Sequence, residues 1–455
     1  MSSDSSKKKL EKILMITVTA GGGHIHATKA KYKQIKEIAP HTRFIFFDVL
    51  IDTFGQKIGK ACNSLWNSAQ EKGDVQSQEW QRRFGHPISE VLFWIPIFCK
   101  MVFLLSTNRF DRIIDTQVVG TKAIIKALRV VEFFTRRKII LEKVITELPS
   151  DQVLHFTRPI KQLSTIEKKL IQVCCSYSEL IEEDKQEGFW QHMCGISAQD
   201  VKRDTPPLRL NFLKLIDKER GEEIQTLKIF THSAKELELI QSASSRGFVK
   251  LKNEDPYLSL DIEPTDRVTT IMLGSRPHEK ATLEYVQKFI ELSQDHIEEN
   301  RRDIVFVFCR NYDEKPNSLL KRMEELVKFE HNFPANLTIL PMPFQDDEVI
   351  APLFWRSDIT ITRSGGITAM ELLAVGHGQI YLHTETISSY KKQGRIGMPA
   401  WEEGNARFLI QKKQAQFITP STFTTQCKAG FTLEERVVDF QEEELNYKQF
   451  PEESV

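Results

Sequence analysis

The stretch TRSGGITAMELLAVG, residues 362–376, decides how this chain reads. It follows a β-branched run and opens an apolar helix, so a strand, a tight glycine turn and a helix N-terminus come in succession. Such a junction offers unpaired backbone N–H groups and the positive end of the helix dipole, and both favour a phosphate. Arg363 stands at its entrance and Gly365 and Gly366 make the turn. Glu371, further along the helix, is an acceptor-only group that suits the paired hydroxyls of a ribose on the same ligand. The ligand implied is a nucleotide.

A second glycine cluster lies near the other end. The apolar run of residues 13–19 leads into Ala20, Gly21, Gly22, Gly23 and His24, and residues 27–38 then have helical spacing. Neither GxGxxG nor a Walker loop is present. The turn instead holds an imidazole at the end of a first parallel strand, where open α/β sheets place their chemistry, and His24 is a candidate base. Taken singly, each loop reads equally well as a packing turn, and His24 as a helix cap. Two such loops in separate halves favour a two-domain enzyme closing on a nucleotide. A third loop, Gly274, Ser275, Arg276 and Pro277, follows the run 267–273. Arg276 there is either a surface arginine or a forked, charge-assisted partner for a pyrophosphate. Asn405, after Gly404, is a further candidate cleft contact.

The 455 residues carry 62 basic and 62 acidic side chains, so no global field draws the protein to nucleic acid. Seven cysteines without a CxxC pair read as reduced thiols, and the Cys/His spacing predicts no zinc site. The polar N-terminus runs straight into the first strand without the apolar segment of a signal peptide; the expected location is cytoplasmic or peripheral to a membrane. Residues 91–105, VLFWIPIFCKMVFLL, fall short of the roughly 20 needed to span a bilayer. With Arg82, Arg83, Arg109 and Arg112 flanking them, they read either as a segment in the lipid headgroup layer or as a core helix.

Strand-like runs at 13–19, 43–49, 112–116, 138–146 and 170–176 alternate with helical stretches and predict a mostly parallel sheet. Pro206, Pro207 and the charged segment 214–223 read as an interdomain connection. Strands resume at 267–273, 303–308, 336–340, 358–362 and 379–382, which predicts a second α/β domain. The expected domains are 1–215 on the acceptor side, 216–430 for the nucleotide, and an acidic helix or tail over 431–455.

These motifs resemble a known family. The 362–376 segment is similar to the donor-binding segment of MurG-type N-acetylglucosaminyltransferases. GGGH with its helix start resembles the matching loop of monogalactosyldiacylglycerol and diglucosyldiacylglycerol synthases. The resemblance continues at 144–148, where Thr146 and Glu147 stand for a ThrAsp pair, and through 195–212. It implies a GT-B architecture, two Rossmann-like domains across a cleft, and inverting transfer from a UDP-sugar to an acceptor hydroxyl; the absence of an AspXaaAsp motif is consistent with metal-independent transfer, and the 91–105 segment favours a lipid as acceptor. It implies His24 and Glu147 as the catalytic pair. Around the donor it implies Gly22, Gly23, Gly274, Ser275, Arg276, Arg363, Asn405 and the diphosphate-approaching Ser364, Gly365 and Gly366, with Thr368 bonding the diphosphate and Glu371 the ribose.

No cofactor beyond the UDP-sugar co-substrate is implied. Where MurG-type enzymes have paired glutamines, this chain has Trp401, Glu402 and Glu403, preceded by an insertion at 384–399, so the sugar stays open. A nucleotide-binding or interaction protein that kept the fold without the transfer is the second reading, and a sugar-nucleotide epimerase the third. The glutamates at 442–444 resemble the C-terminal signal of exported type IV effectors, and composition alone reads them as a solvated tail.

Overall fold

A computed structural model describes residues 11–19, 22–219, 223–254, 256–295, 302–312, 318–386 and 396–431. The acidic segment from 433 onward and much of the 384–399 insertion lie outside them.

Two parallel sheets carry the fold. The first contains β1 (Lys12–Thr17), β2 (Arg43–Asp48), β3 (Arg112–Asp115), β4 (Leu141–Val144), β5 (Ile171–Cys175) and β6 (Lys202–Arg203), in the order β2-β1-β3-β4-β5-β6. A small antiparallel sheet of β7 (Gln225–Phe230), β8 (Lys252–Glu254) and β9 (Tyr257–Ile262) follows, and no part of it was expected from sequence. The second parallel sheet contains β10 (Arg267–Met272), β11 (Asp303–Phe308), β12 (Leu337–Met342), β13 (Ile359–Thr362), β14 (Gln379–His383) and β15 (Gln416–Ile418). Its order, β12-β11-β10-β13-β14-β15, is that of a dinucleotide-binding fold. Strands β10, β11 and β12 are buried at every position, and β11 accordingly reads as a near-continuous apolar run after Asp303 rather than an alternating one.

The connection near residue 210 is not a solvated linker. Leu208 and Phe212 are fully buried within the second domain's core, beside Leu260, Phe306 and Phe354. The charges of 214–223 conceal this, because the apolar anchors precede them.

The 91–105 stretch forms two helices rather than one. Helix α1 (Gly23–Ile38) joins β1 to β2; between β2 and β3 run α2 (Ile51–Glu71), α3 (Val75–Trp80), a π-helical turn (Gln81–Gly85), α4 (His86–Leu92) and α5 (Trp94–Thr107), and α6 (Thr121–Thr135) follows β3. Ile97, Met101 and Leu105 recur every four residues on α5 and are fully buried against the core that includes Ile124 and Leu128 of α6. The other side is apolar as well: Val91, Leu92, Ile95 and Phe103 are 64 to 76 % exposed. The core-helix reading therefore describes the buried face of α5, and the remaining face of the stretch is exposed and apolar. Among the described residues no single helix is long and apolar enough to cross a membrane; Val75–Leu92 and Trp94–Thr107, bent by 55°, reach that length and composition only as a pair.

Candidate functional site

Each parallel sheet has one place where the chain reverses its direction of travel across the strands, and loops leaving the two strands there diverge to opposite faces, opening a crevice. In the first sheet this place lies between β1 and β3, and in the second between β10 and β13. His24 and Thr116 leave the first pair, and the loops 273–277 and 363–366 leave the second. The crevices face each other across a cavity of about 450 Å³ lined by both domains, with Gly23, His24 and Glu147 on one side and Gly274, Ser275, Arg276, Arg363, Gly365, Gly366, Thr368 and Glu371 on the other.

His24 sits in the first turn of α1, and its Nδ1 lies 2.8 Å from the Thr116 carbonyl oxygen. A carbonyl only accepts, so Nδ1 carries the proton and Nε2 keeps the lone pair. Burial lowers its pKa to about 4; the Thr116 bond opposes the shift and the charge of Lys143 adds to it. Lys143 is itself wholly buried, 2.9 Å from Asp115, and bonds Thr121 Oγ1. The imidazole is neutral near pH 7.

The glycine turn of the second domain is pressed against the first. A Cβ on Gly366 would lie 2.5 Å from Glu147 Oε2 and closer still to the Thr146 carbonyl oxygen, so the approach requires glycine. Glu147 accepts the Gly366 N–H and, at 2.5 Å, an Asn405 Nδ2–H. Glu147 therefore occupies the end of the helix dipole from across the cleft. Burial, helped by the nearby charge of Glu402, raises its pKa to about 8 against the pull of those hydrogen bonds.

Two expected ligand contacts are spent on the protein itself. Asn405 also donates to the Ser364 carbonyl oxygen and accepts the Leu148 N–H, and Ser364 Oγ donates to the Glu402 carbonyl oxygen at 2.7 Å. Neither residue is on the cavity wall. Gly22, with φ +77°, lies behind the wall, where a Cβ would meet Ser275 Cβ at 3.0 Å. The sequence put these residues beside the loops but could not tell wall from scaffold, because hydrogen-bond partners 38 to 257 residues apart leave no local signal.

The carboxylates and arginines are largely paired. Glu371 holds Arg209 in a forked contact of 2.7 and 2.9 Å, and Glu402 holds Arg363 at 3.1 and 2.8 Å. Arg276 and Arg310 instead share one atom, Glu71 Oε1, at 3.1 and 2.7 Å. Two guanidiniums on one carboxylate leave a surplus positive charge on the cavity wall. Arg209, Arg310 and His26, which stacks on Phe344, line the cavity and were missed from sequence. For His26 the HIH spacing after the glycines was the available sign; for the two arginines there was none.

Two Rossmann-like domains closing on a shared crevice define a GT-B architecture. Over 92% of its length the chain is similar to Acinetobacter baumannii MurG, with 10% identity, a TM-score of 0.44 and 90% of that chain covered. It is also similar to spinosyn rhamnosyltransferase SpnG (8% identity, TM-score 0.46, 92% of this chain and 91% of that one). A Neisseria meningitidis UDP-GlcNAc 2-epimerase bound to UDP-GlcNAc is similar at 13% identity and TM-score 0.41, over 92% of this chain and 99% of that one. No family model and no curated protein matches the sequence. At these identities and TM-scores, what the site does is argued from its own residues.

Proposed function

We propose that the protein is an inverting glycosyltransferase that moves a sugar from a UDP-sugar to an acceptor hydroxyl, with a membrane lipid as the acceptor. The observation that carries this reading is that a neutral imidazole from one domain and a glycine-turn helix N-terminus from the other line the same cavity.

A hydroxyl attacks an anomeric carbon poorly until a base takes its proton, and His24 Nε2 is a free basic atom on the first-domain wall, which His26, His86 and His155 also line. Such a base contributes ~10²- to 10⁴-fold. A pKa of about 4 keeps it fully available near pH 7 at the cost of basic strength. On the opposite side the departing diphosphate gains charge. The Arg276/Arg310 pair, with its surplus charge, faces it, and the N-terminus of the Gly366–Val375 helix, whose Gly366 N–H bonds Glu147, lies beside it. Glu147, at about 8, is mostly protonated at neutral pH and would donate a hydrogen bond to a phosphate oxygen instead of repelling it. In this reading the phosphate charge is met by these groups without a catalytic metal.

The surface supports a lipid as the acceptor. Trp80 and Gly85 belong both to the cavity wall and to the segment carrying Phe84, Ile88, Val91, Leu92 and Ile95, so an exposed apolar strip runs up to the cavity. Exposed Arg83 and Lys100 lie along it, as for a segment bedded among lipid headgroups.

A second reading, a nucleotide-binding protein without transfer, is favoured by one feature: Glu402 occupies Arg363. The test is sugar consumption and transfer by the purified protein with a panel of UDP-sugars and lipid vesicles, for wild type and His24→Ala. Turnover that falls by ~10²-fold or more in the variant while UDP still binds supports the transferase. UDP binding without turnover in wild type supports the second reading, and no UDP binding at all sinks both.

A further inference from the structure

We infer that His278, His383 and Glu385 form a site for a divalent first-row transition ion, Zn²⁺ by its donor set, under the turn that joins α2 to α3. This is independent of the transferase reading and lies beside the main cavity.

His278 follows the loop after β10, His383 ends β14, and Glu385 comes two residues later, so two strands of one sheet bring together residues far apart in sequence. His278 Nδ1 stands 2.7 Å and His383 Nε2 2.9 Å from the same oxygen, Glu385 Oε1, and one donor atom from each residue falls within a 4.8 Å circle. Donors of a tetrahedral ion with bonds near 2.0–2.2 Å stand roughly 3.3 Å apart, so a small relaxation admits it. Two imidazoles and one carboxylate, with a fourth position for water, suit zinc better than a hard oxygen-seeking ion.

Tyr285, wholly buried, places its hydroxyl 2.8 Å from His383 Nδ1 and 3.3 Å from the Ile418 carbonyl oxygen. In the tautomer in which the phenol donates to Ile418 and His383 Nδ1–H to the phenol, the Nε2 lone pair faces the Glu385 carboxylate and can ligate an ion. Metal-bound histidines are commonly fixed through the second ring nitrogen in this way. In the other tautomer the phenol donates to Nδ1 and Nε2–H to Glu385, so an ion would take the place of that proton. A void of about 10 Å³, one ion or water in size, is lined by His383 and Glu385 together with Gly73, Gln78, Arg363 and Glu402, and lies beside His278 rather than on it. Gly73 closes the cluster from the first domain: a Cβ there would stand 2.7 Å from His278 Nδ1. Arg363, whose charge reaches His383, is already held by Glu402. Glu385 N–H also donates to the Gly397 carbonyl oxygen at 2.7 Å, so an ion here would pin the base of the insertion and the seat of the α2–α3 turn together.

The test uses full-length, tag-free protein, stripped with a chelator and titrated with Zn²⁺ or Co²⁺. The expected result is about one equivalent bound, a tetrahedral Co²⁺ visible spectrum and a rise in Tm on adding Zn²⁺. His383→Gln and Glu385→Gln are to weaken uptake by more than ~10-fold, with Tyr285→Phe weakening it less. A zinc K-edge spectrum of the wild type needs no variant and is to show two imidazole ligands. Wild type that binds no ion while folded, uptake unchanged in the folded variants, or a shell lacking imidazole overturns the assignment in favour of a purely hydrogen-bonded triad.

Discussion

Arg209 and Glu371 meet in a two-pronged contact of 2.7 and 2.9 Å, both buried, 162 residues apart in the chain. The carboxylate assigned from sequence to a ribose thus also anchors an arginine that precedes the Leu210–Leu213 turn with its buried Phe212. Each oxygen retains a lone pair, so the two tasks are compatible. Removing the carboxylate strands a buried charge. Glu371→Ala is expected to cost ~3–5 kcal/mol of stability in denaturant unfolding. Glu371→Gln, which keeps the shape and one acceptor, is expected to cost less, and it is the variant in which calorimetry can report nucleotide affinity separately from folding.

The pH dependence has two markers. His24 must be unprotonated to act, and Glu147 protonated to face a phosphate, so kcat/KM is expected to rise through about 4 and fall through about 8. Glu147→Gln, neutral at every pH, is expected to remove the upper limb and leave the lower one. A variant that retains the upper limb assigns it to another group.

Glu147 also shapes stability. Its folded pKa of about 8 lies above the ordinary 4.5, so between those values the folded state holds the extra proton and stability falls as pH rises. Urea midpoints of wild type are expected to decline from pH 5 to pH 8 relative to Glu147→Gln. For His24 the folded pKa is the lower one, and stability is instead lost as pH falls from 6.5 toward about 4.

Gly366→Ala tests the close approach of the domains. The new methyl would collide with the Thr146 carbonyl oxygen and Glu147, and backbone cannot yield as a flexible side chain does. The expected cost is ~1–3 kcal/mol in unfolding, with weakened UDP binding at equal fold content by circular dichroism.

The membrane surface is tested at its exposed face. Phe93 and Trp94 pack on Phe54 and Phe98, so charges there would disturb the core. Val91→Glu with Ile95→Glu changes only exposed positions and is expected to abolish flotation with anionic liposomes while leaving Tm within a few degrees. Flotation that persists removes the lipid-docking proposal.

The runs 303–308 and 379–382 were legible as strands, and both glycine turns as strand-to-helix junctions, because backbone geometry at these places is set by neighbours in sequence: β-branched residues, glycine, then helix formers. His24 and Gly366 could be picked out on that basis. The short strand β6, the antiparallel sheet β7–β9 and the splitting of 91–105 at Phe93 were not legible, since period and composition there fit more than one element. Pairing was wholly out of reach. That Glu402 takes Arg363 and that His278 meets His383 depend on how the second domain folds, and that Arg276 shares Glu71 with Arg310 and Asn405 ties Leu148 to Ser364 depend on how the two domains dock. Local sequence thus determined the parts and the two turns; tertiary contact alone decided which polar groups are spent on each other and which face the cavity, because charges and hydrogen bonds are settled by distance in space.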